Sequence, residues 1–511
     1  MVPAVLLAAV YLIWSPPSAD LAAQTFRTEL FEAHGFEVWS NAWYGGFHLP
    51  GYSLLFPPLA SLIGIRLVGA ISVVVAAALF AALVRPHYGD GARLAIWLFG
   101  LGAATNLFTG RLTFALGVAV ALGALLAWDR GRPALGVVLA VLTPAASPVA
   151  GLFLAFVAGV LGVTGRRRDG LVLGVPALAA TGLLALAFPT GGFEPFEANT
   201  FALISAATLI LVAVLPSAEN RVRLGAVLYL LMCLALFAID TPVGGNATRL
   251  GALVAAPLLA LGAWGRRPAW LVGLAILPLL YWQWVAPVRD LADAVGEPSV
   301  EAAYYDPLLA ELEARAPATP FRVQVPPTRN RWEANYVAEE FPLARGWLRQ
   351  AESDDFDLFQ DGNLNAEEYR AWLDERGVAF VALSLDARPD YLSDDEIDLV
   401  RGGLPYLEEV WSNADWELYR VTDPAPLATA PVRLGETGFE LDAPSAGEFD
   451  VGVRWSPYYR VAEGDACVRE GGEETVVDVR VPGTIRVEAK PSMGRLVDAL
   501  TGATETCSDV E

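Results

Sequence analysis

Lysine is almost missing from this sequence: of its 35 basic residues, Lys490 is the one that is not arginine. Histidine and cysteine are scarce too, with three of each in 511 residues. There is no C-x-x-C pair and no His/Cys cluster of the kind that holds zinc, which removes that class of metal site. No G-x-x-x-x-G-K-[ST] stretch is present, so a phosphate-cradling nucleotide loop is absent as well. Basic patches, which nucleic-acid binding requires, are also missing, and the net charge is −22.

The scarcity of charge is local. Residues 1–286 hold 15 basic and 11 acidic residues, whereas 287–511 hold 20 basic and 46 acidic ones. Hydrophobic residues make up 54% of the chain and the mean hydropathy is +0.42, too apolar for a soluble domain of this length. Two physical objects follow: an apolar, slightly basic membrane part and an acidic, water-loving part.

A hydrocarbon core about 30 Å thick needs roughly 17–25 apolar residues in a helix. The apolar stretches 2–14, 67–84, 92–109, 112–128, 132–147, 148–164, 170–188, 199–215, 222–239, 248–264 and 268–286 give eleven expected spans. The stretch 54–65 begins at a Pro-Pro pair and is too short to cross, so it is expected to lie in the interface. With the N-terminus in the cytoplasm, the inner loops collect eleven arginines. The outer side receives four: Arg27, Arg66, Arg111 and Arg249. Counting 54–65 as a span would invert every later loop and spoil this pattern. The first segment has no charged stretch before it and is not read as a signal peptide. The expected fold is therefore a mainly α polytopic membrane domain over 1–288, of about eleven helices, in the plasma membrane. An acidic region outside the cytoplasm follows it.

The outer face holds what polar chemistry the membrane part has: Asp20, Glu29, Glu32, Glu37, Glu194, Glu197 and Asp240. Its first loop, 15–66, is long and rich in aromatics, where most other loops are under ten residues. The stretch DLAAQTFRTELFEAHG has helical spacing, with Asp20 at its start and Gly35 past its end. Such a helix suits the membrane surface. Asp20 reads either as a helix cap or as a catalytic carboxylate. The following WYGGFHLPGYSLLFPPL brings Trp43, Tyr44, His48 and Tyr52. These read either as an interfacial aromatic belt or as a platform on which sugar rings stack. IDTPVGGNATRLGA places Asp240 and Arg249 at the outer boundary. Arg249, at a helix start, either binds phosphate or snorkels and pairs with Asp240. Arg111 in TNLFTGR is an alternative phosphate partner, and Glu194 and Glu197 are solvated acids or acceptor contacts.

In the acidic region, LNAEEYRAWLDERG reads as a helix, and VAFVALSL and DWELYRV read as strands, giving an α/β domain over 289–428. GEFDVGVRW, TVVDVRV and GTIRVEA alternate like sandwich strands, giving a β-sandwich-like module over 429–495, with a flexible tail over 496–511. Cys467 and Cys507 pair if this region is outside the cytoplasm. DDFDLFQDGNLNAEE resembles a calcium loop only loosely, with Asp357, Gln360 and Asp361 misplaced for one.

One short span, a long outer loop with an acid near its start, and then W…WYGG…PGYSLLFPPL resemble the GT-C fold of membrane glycosyltransferases. Within these, the sequence is most similar to an actinobacterial branch of the multi-span proteins labelled 6-pyruvoyl-tetrahydropterin-synthase-related. WEANYVAEEFPLARGW and YRAWLDERGVAFVAL extend that resemblance into the acidic region. It implies an enzyme that takes a sugar from a polyprenyl-phosphate carrier and passes it to an envelope acceptor. Asp20 is then the catalytic base or a metal ligand. The substrate is expected to meet Arg27, Glu29, Trp43, Tyr44, His48, Tyr52, Asp240, Arg249 and Arg111. A divalent cation is the cofactor such chemistry would bring, but Asp20 lacks an adjacent second acid, which only Glu29 or Glu32 could supply. A transporter or flippase is the alternative, although charge inside the spans and internal repeats are missing. A non-catalytic envelope scaffold is the other.

The orientation is directly testable. A phosphatase that matures only outside the cytoplasm, fused after residue 511, should be active, and a fluorescent protein fused there should be dark. The reverse pattern contradicts the orientation.

Overall fold

In the computed structural model the described residues are 1–189, 191–352, 358–359, 364–472 and 474–507. The chain forms two compact units. The first is Met1–Gln24, Gly51–Ala185 and Gly191–Val295; the second is Thr25–Pro50, Leu186–Thr190 and Gly296–Glu511.

The first unit is helical. Each of the eleven expected apolar stretches forms a helix: Val2–Trp14, Ile65–Tyr88, Arg93–Phe108, Leu112–Asp129, Pro133–Ala146, Pro148–Val163, Arg167–Ala187, Ala198–Val214, Asn220–Ala238, Thr248–Ala263 and Ala269–Ala294. Length and composition separate them. Six apolar segments are long enough to cross a membrane, or seven if Val2–Trp14 and Ala19–His34 act as one bent span. Pro133–Ala146, Pro148–Val163 and Ala198–Val214 are shorter. At a rise of about 1.5 Å per residue they fall short of a core about 30 Å thick. By length and composition these helices agree with a multi-pass membrane protein, and the count of eleven is finer than helix length supports. Within Ile65–Phe108 a 3-10 turn, Gly89–Ala92, folds two helices back against each other.

The expected interfacial helix is Phe56–Ile63, ended by Gly64 at φ +90°. Its start is tied down: Ser53 Oγ donates to the Ala146 carbonyl, and Leu54 N–H donates to that of Ala145. Leu62 is 78% exposed, as a side chain meant for lipid would be. Small residues set the helix spacing. A Cβ at Gly117 would press into Ala150 and Ser147, and one at Gly102 into the Gln283 amide. That amide donates to the Ala252 carbonyl and so links three helices.

The second unit carries three four-stranded sheets. One runs in the order Arg322–Gln324, Val378–Ser384, Trp416–Val421, Leu407–Ser412, with its first pair parallel and the rest antiparallel. The helix Ala366–Glu375 packs on it, capped by Asn365, whose side chain accepts from the N–H groups of Glu367 and Glu368. The other two sheets are antiparallel and share one core. The first is Tyr459–Glu463, Gly483–Ala489, Gly438–Ala443, Val432–Leu434; the second is Glu505–Cys507, Ala466–Gly471, Glu474–Val479, Gly447–Arg454. Arg345, within WEANYVAEEFPLARGW, and Arg331, just before it, hold a buried web of charge together. Arg331 pairs with Glu352 and Asp390, and Arg345 pairs with Glu352 and Glu396. Asp357, Gln360 and Asp361, of the loose calcium-loop pattern, lie outside the described residues.

Two boundaries differ from expectation. The segment expected to be flexible is ordered to Cys507: it forms the helix Met493–Thr501 and a strand that sets Cys507 opposite Cys467, with a disulfide between them. Residues 25–50, expected to belong to the membrane domain, fold instead with the acidic region. The reason is burial and backbone pairing. Trp39–Ser40 and Phe47–His48 form a two-stranded hairpin, and Val38 and Trp39 join the sandwich core. Asn41 donates from its side chain to the carbonyls of Gly435 and Gly438. Leu343 N–H donates to the Ala42 carbonyl, and Trp43 Nε1 donates to that of Ala334.

Trp43→Ala should therefore cost about 3–5 kcal/mol of second-unit stability, as removal of a buried large aromatic does. Denaturant unfolding followed by tryptophan fluorescence checks this. A change below about 1 kcal/mol would place Trp43 outside the core.

Candidate functional site

Asp20 sits in the first turn of the helix Ala19–His34. Its Oδ2 accepts from Arg111 Nε at 3.2 Å, and both side chains are half-buried. Arg111 is brought there by a turn between Arg93–Phe108 and Leu112–Asp129. Gly110, at φ +74°, lets that turn lie against the backbone of Asp20 and Leu21, where any Cβ would collide with Ser18 and Leu21. A larger residue at 110 would push Arg111 off its partner.

Two further carboxylates and a second arginine share this electrostatic neighbourhood. Burial works against the charge on Arg111, but Asp20, Asp290 and Glu194 outweigh it and hold the guanidinium above its ordinary range. Arg249, in the first turn of Thr248–Ala263, lies over the Phe114 ring at 5.7 Å. It feels the charges of Arg111, Asp20 and Glu194 and the Tyr52 hydroxyl. Among the described residues Arg249 makes no ion pair, and Asp240, its expected partner, is exposed. Tyr52 accepts a hydrogen bond from the buried Gln24 amide at 2.8 Å. The glycines of PVGGN serve packing. Gly244 and Gly245 fit against the backbone of Glu194 and Pro195, and Glu194 N–H donates to the Thr241 carbonyl.

This cluster contains groups that can do polar chemistry at the end of apolar helices. Two guanidiniums stand at helix starts, where unsatisfied backbone N–H groups add partial positive charge, a setting that suits phosphate. A carboxylate lies beside them. Among the described residues, the one group of three Asp, Glu, His or Cys ligand atoms close enough to share an ion is Cys467, Glu505 and Cys507. Its two sulfurs are the disulfide, and Asp20 is in no such group. Sequence reasoning missed Asp290, because the last apolar helix was expected to end at 286. It runs to Ala294, and Gly296 was the available stop signal.

The other expected site residues belong to the second unit, and most are core. Trp43 is 0% exposed, stacks on Phe47 at 4.6 Å and carries the Arg27 guanidinium 5.5 Å from its ring. Tyr44 is buried at φ +57° beside the Arg331, Arg345 and Glu352 web. Both ring nitrogens of His48 are engaged, Nδ1 with the Pro189 carbonyl at 2.8 Å and Nε2 with Ser456 Oγ at 3.2 Å. Trp39, Phe188 and Tyr458 surround that ring. Trp43, Tyr44 and His48 are all buried, so none presents an exposed ring as a sugar-stacking platform would. Arg27 is buried too, whereas Glu29 is exposed beside Asn335 and Glu339. So Asp20, Tyr52, Arg111 and Arg249 gather in the first unit, and Arg27, Glu29, Trp43, Tyr44 and His48 do not belong to it.

Burial lowers the His48 imidazolium value to about 4, with the Pro189 hydrogen bond opposing. The unfolded chain takes up this proton near 6.5 and the folded one near 4, so stability is full above 6.5 and falls as pH drops through that window. The loss should reach about 3 kcal/mol. Subtracting the pH profile of His48→Gln from that of the wild type isolates this slope. Glu333, pushed up to about 7 by burial, runs the opposite way and cancels in the difference. A flat difference between pH 7 and pH 4 contradicts the buried neutral ring.

No protein-family model matches the sequence, and no curated protein matches it.

Proposed function

We propose that the protein is a multi-pass membrane glycosyltransferase of GT-C type. It moves a sugar from a polyprenyl-phosphate carrier to an acceptor outside the cytoplasm. In this reading the eleven apolar helices cross the membrane with the N-terminus inside, and the acidic region lies outside. The arginine distribution of the loops supports that orientation. The Cys467–Cys507 disulfide agrees with it, because such bonds persist in oxidising compartments.

The observation that supports the activity is the gathering of Asp20, Arg111 and Arg249 at the ends of apolar helices. Asp20 takes the proton of the acceptor hydroxyl, and that oxygen forms a bond to the anomeric carbon. The bond from that carbon to the phosphate oxygen breaks, and polyprenyl phosphate leaves with the electron pair. Arg249, with no ion pair among the described residues, meets the phosphate, and Arg111 supports it while orienting Asp20. Glu194 and Asp290, whose charges reach Arg111, offer acceptors for the hydroxyls of the incoming sugar or its acceptor. The aromatic residues of WYGGFHLP take no part beyond fixing the loop, since they are buried.

The test is turnover by the purified full chain in lipid nanodiscs, with labelled polyprenyl-phosphate sugars and an envelope extract as acceptor. Release of polyprenyl phosphate is expected, falling about 100-fold or more in Asp20→Asn. Arg249→Gln should raise the KM for the donor more than it lowers kcat. Absence of turnover with every donor, together with solute counterflow in proteoliposomes that Asp20→Asn leaves unchanged, sinks the transferase reading in favour of a transporter.

A further inference from the structure

The helix Met493–Thr501 is amphipathic, and its apolar side is uncovered. Met493, Leu496, Val497 and Leu500 recur at helical spacing and line one face. Met493 is 76% exposed, Val497 53% and Leu500 40%, and no residue of the helix is buried. Its attachment to the sandwich core is through Ala499, which lies to one side of that face. The helix therefore shows its apolar stripe outward because of how it is seated.

Its ends hold it in that pose. Ser492 Oγ accepts from Arg495 N–H at the start, and Gly502 closes the helix in the left-handed conformation. Glu470 N–H donates to the Thr504 carbonyl, and the disulfide at Cys507 fastens the chain just beyond. A short helix with this much apolar exposure would not be stable alone in water; here the sandwich fixes it from both sides.

Charge selects the occupant of the stripe. Residues 287–511 carry 20 basic and 46 acidic residues, so most of the second unit repels an anionic surface. The stretch 490–501 is an exception: it holds Lys490, Arg495 and Asp498, a local net charge of +1. Arg495 and Asp498 pair at 3.2 Å, and Lys490 pairs with Glu37 at 3.3 Å, so the helix brings no unbalanced negative charge to its surroundings. The apolar helices of the first unit keep this chain at a bilayer, so a lipid surface is always present at high effective concentration.

We propose that the helix Met493–Thr501 is an in-plane membrane anchor, its Met493, Val497 and Leu500 face seated in the headgroup region of the bilayer. A lipid surface is the partner, and this holds whatever reaction the protein performs. The anchor gives the second unit a contact with lipid that its acidic faces deny it elsewhere.

The experiment labels Val497→Cys, and separately Met493→Cys, with an environment-sensitive fluorophore. The background is full-length Cys233→Ala protein in nanodiscs of mixed zwitterionic and anionic lipid. Glu448→Cys, on the exposed second sheet, is the reference. Lipids carrying a shallow nitroxide should quench both helix labels at least about threefold more than the reference, as an interfacial helix requires. Aqueous iodide should quench them less. Free access of iodide to both helix positions overturns the proposal. Protection from iodide without nitroxide quenching also overturns it, because a protein surface rather than lipid would then cover the stripe. Thiol counting before labelling confirms that the Cys467–Cys507 bridge has not been exchanged.

Discussion

A charge taken out of water must be met by another charge, and each unit of this protein is arranged around such a meeting. In the first unit the meeting is Asp20 with Arg111. It fixes the start of one helix against the turn between two others, and Gly110 is small because that turn must come close. In the second unit it is the web of Arg331, Arg345, Glu352, Asp390 and Glu396. The two differ in openness. The web is buried in the protein interior, and Arg349 supplies the third positive charge by pairing with Asp390, which suits a structural role. The first cluster is half-buried and contains Arg249 with no ion-pair partner among the described residues. A guanidinium with no such partner is where an anionic ligand gains most.

The aromatic loop shows the same economy of roles. Trp43, Tyr44, Phe47 and His48 are the kinds of residues that line sugar sites, yet their rings are taken up by one another and by protein carbonyls. Tyr44 adopts a left-handed backbone and lies beside the buried web, a position that requires the surrounding structure to impose it. The loop belongs to the second unit, its aromatics packed on one another and on that unit's core.

Helix positions were largely legible from hydropathy, because lipid-facing and helix-facing residues are both apolar and their stretches stop at Gly, Pro and Arg. The strands of the sandwich were legible from alternation, as in Gly447–Arg454 and Gly483–Ala489. Residues 25–50 were not, because long-range partners such as Gly435 and Gly438 for Asn41 leave no local mark. The same holds for the C-terminal stretch. Its nine-residue helix is too short to announce itself by propensity and is held by Ser492 and the disulfide. Of the candidate site, Asp20, Arg111, Arg249 and Glu194 could be named from loop position, whereas Asp290 lies beyond the expected end of the last apolar stretch. The aromatic residues misled because composition reports what a side chain can contact, not what already occupies it.

In the proposed function, Asp20, Arg111 and Arg249 form a place for a lipid-linked phosphate. Photo-crosslinking with a polyprenyl phosphate carrying a reactive group beside its headgroup tests this most directly, read by peptide mass spectrometry on the full chain in nanodiscs. Labelling should concentrate on peptides around residues 105–114 and 246–252, be competed by unlabelled polyprenyl phosphate and fall in Arg249→Gln. Labelling spread along the lipid-facing helix surfaces, indifferent to competitor and to that substitution, would contradict it.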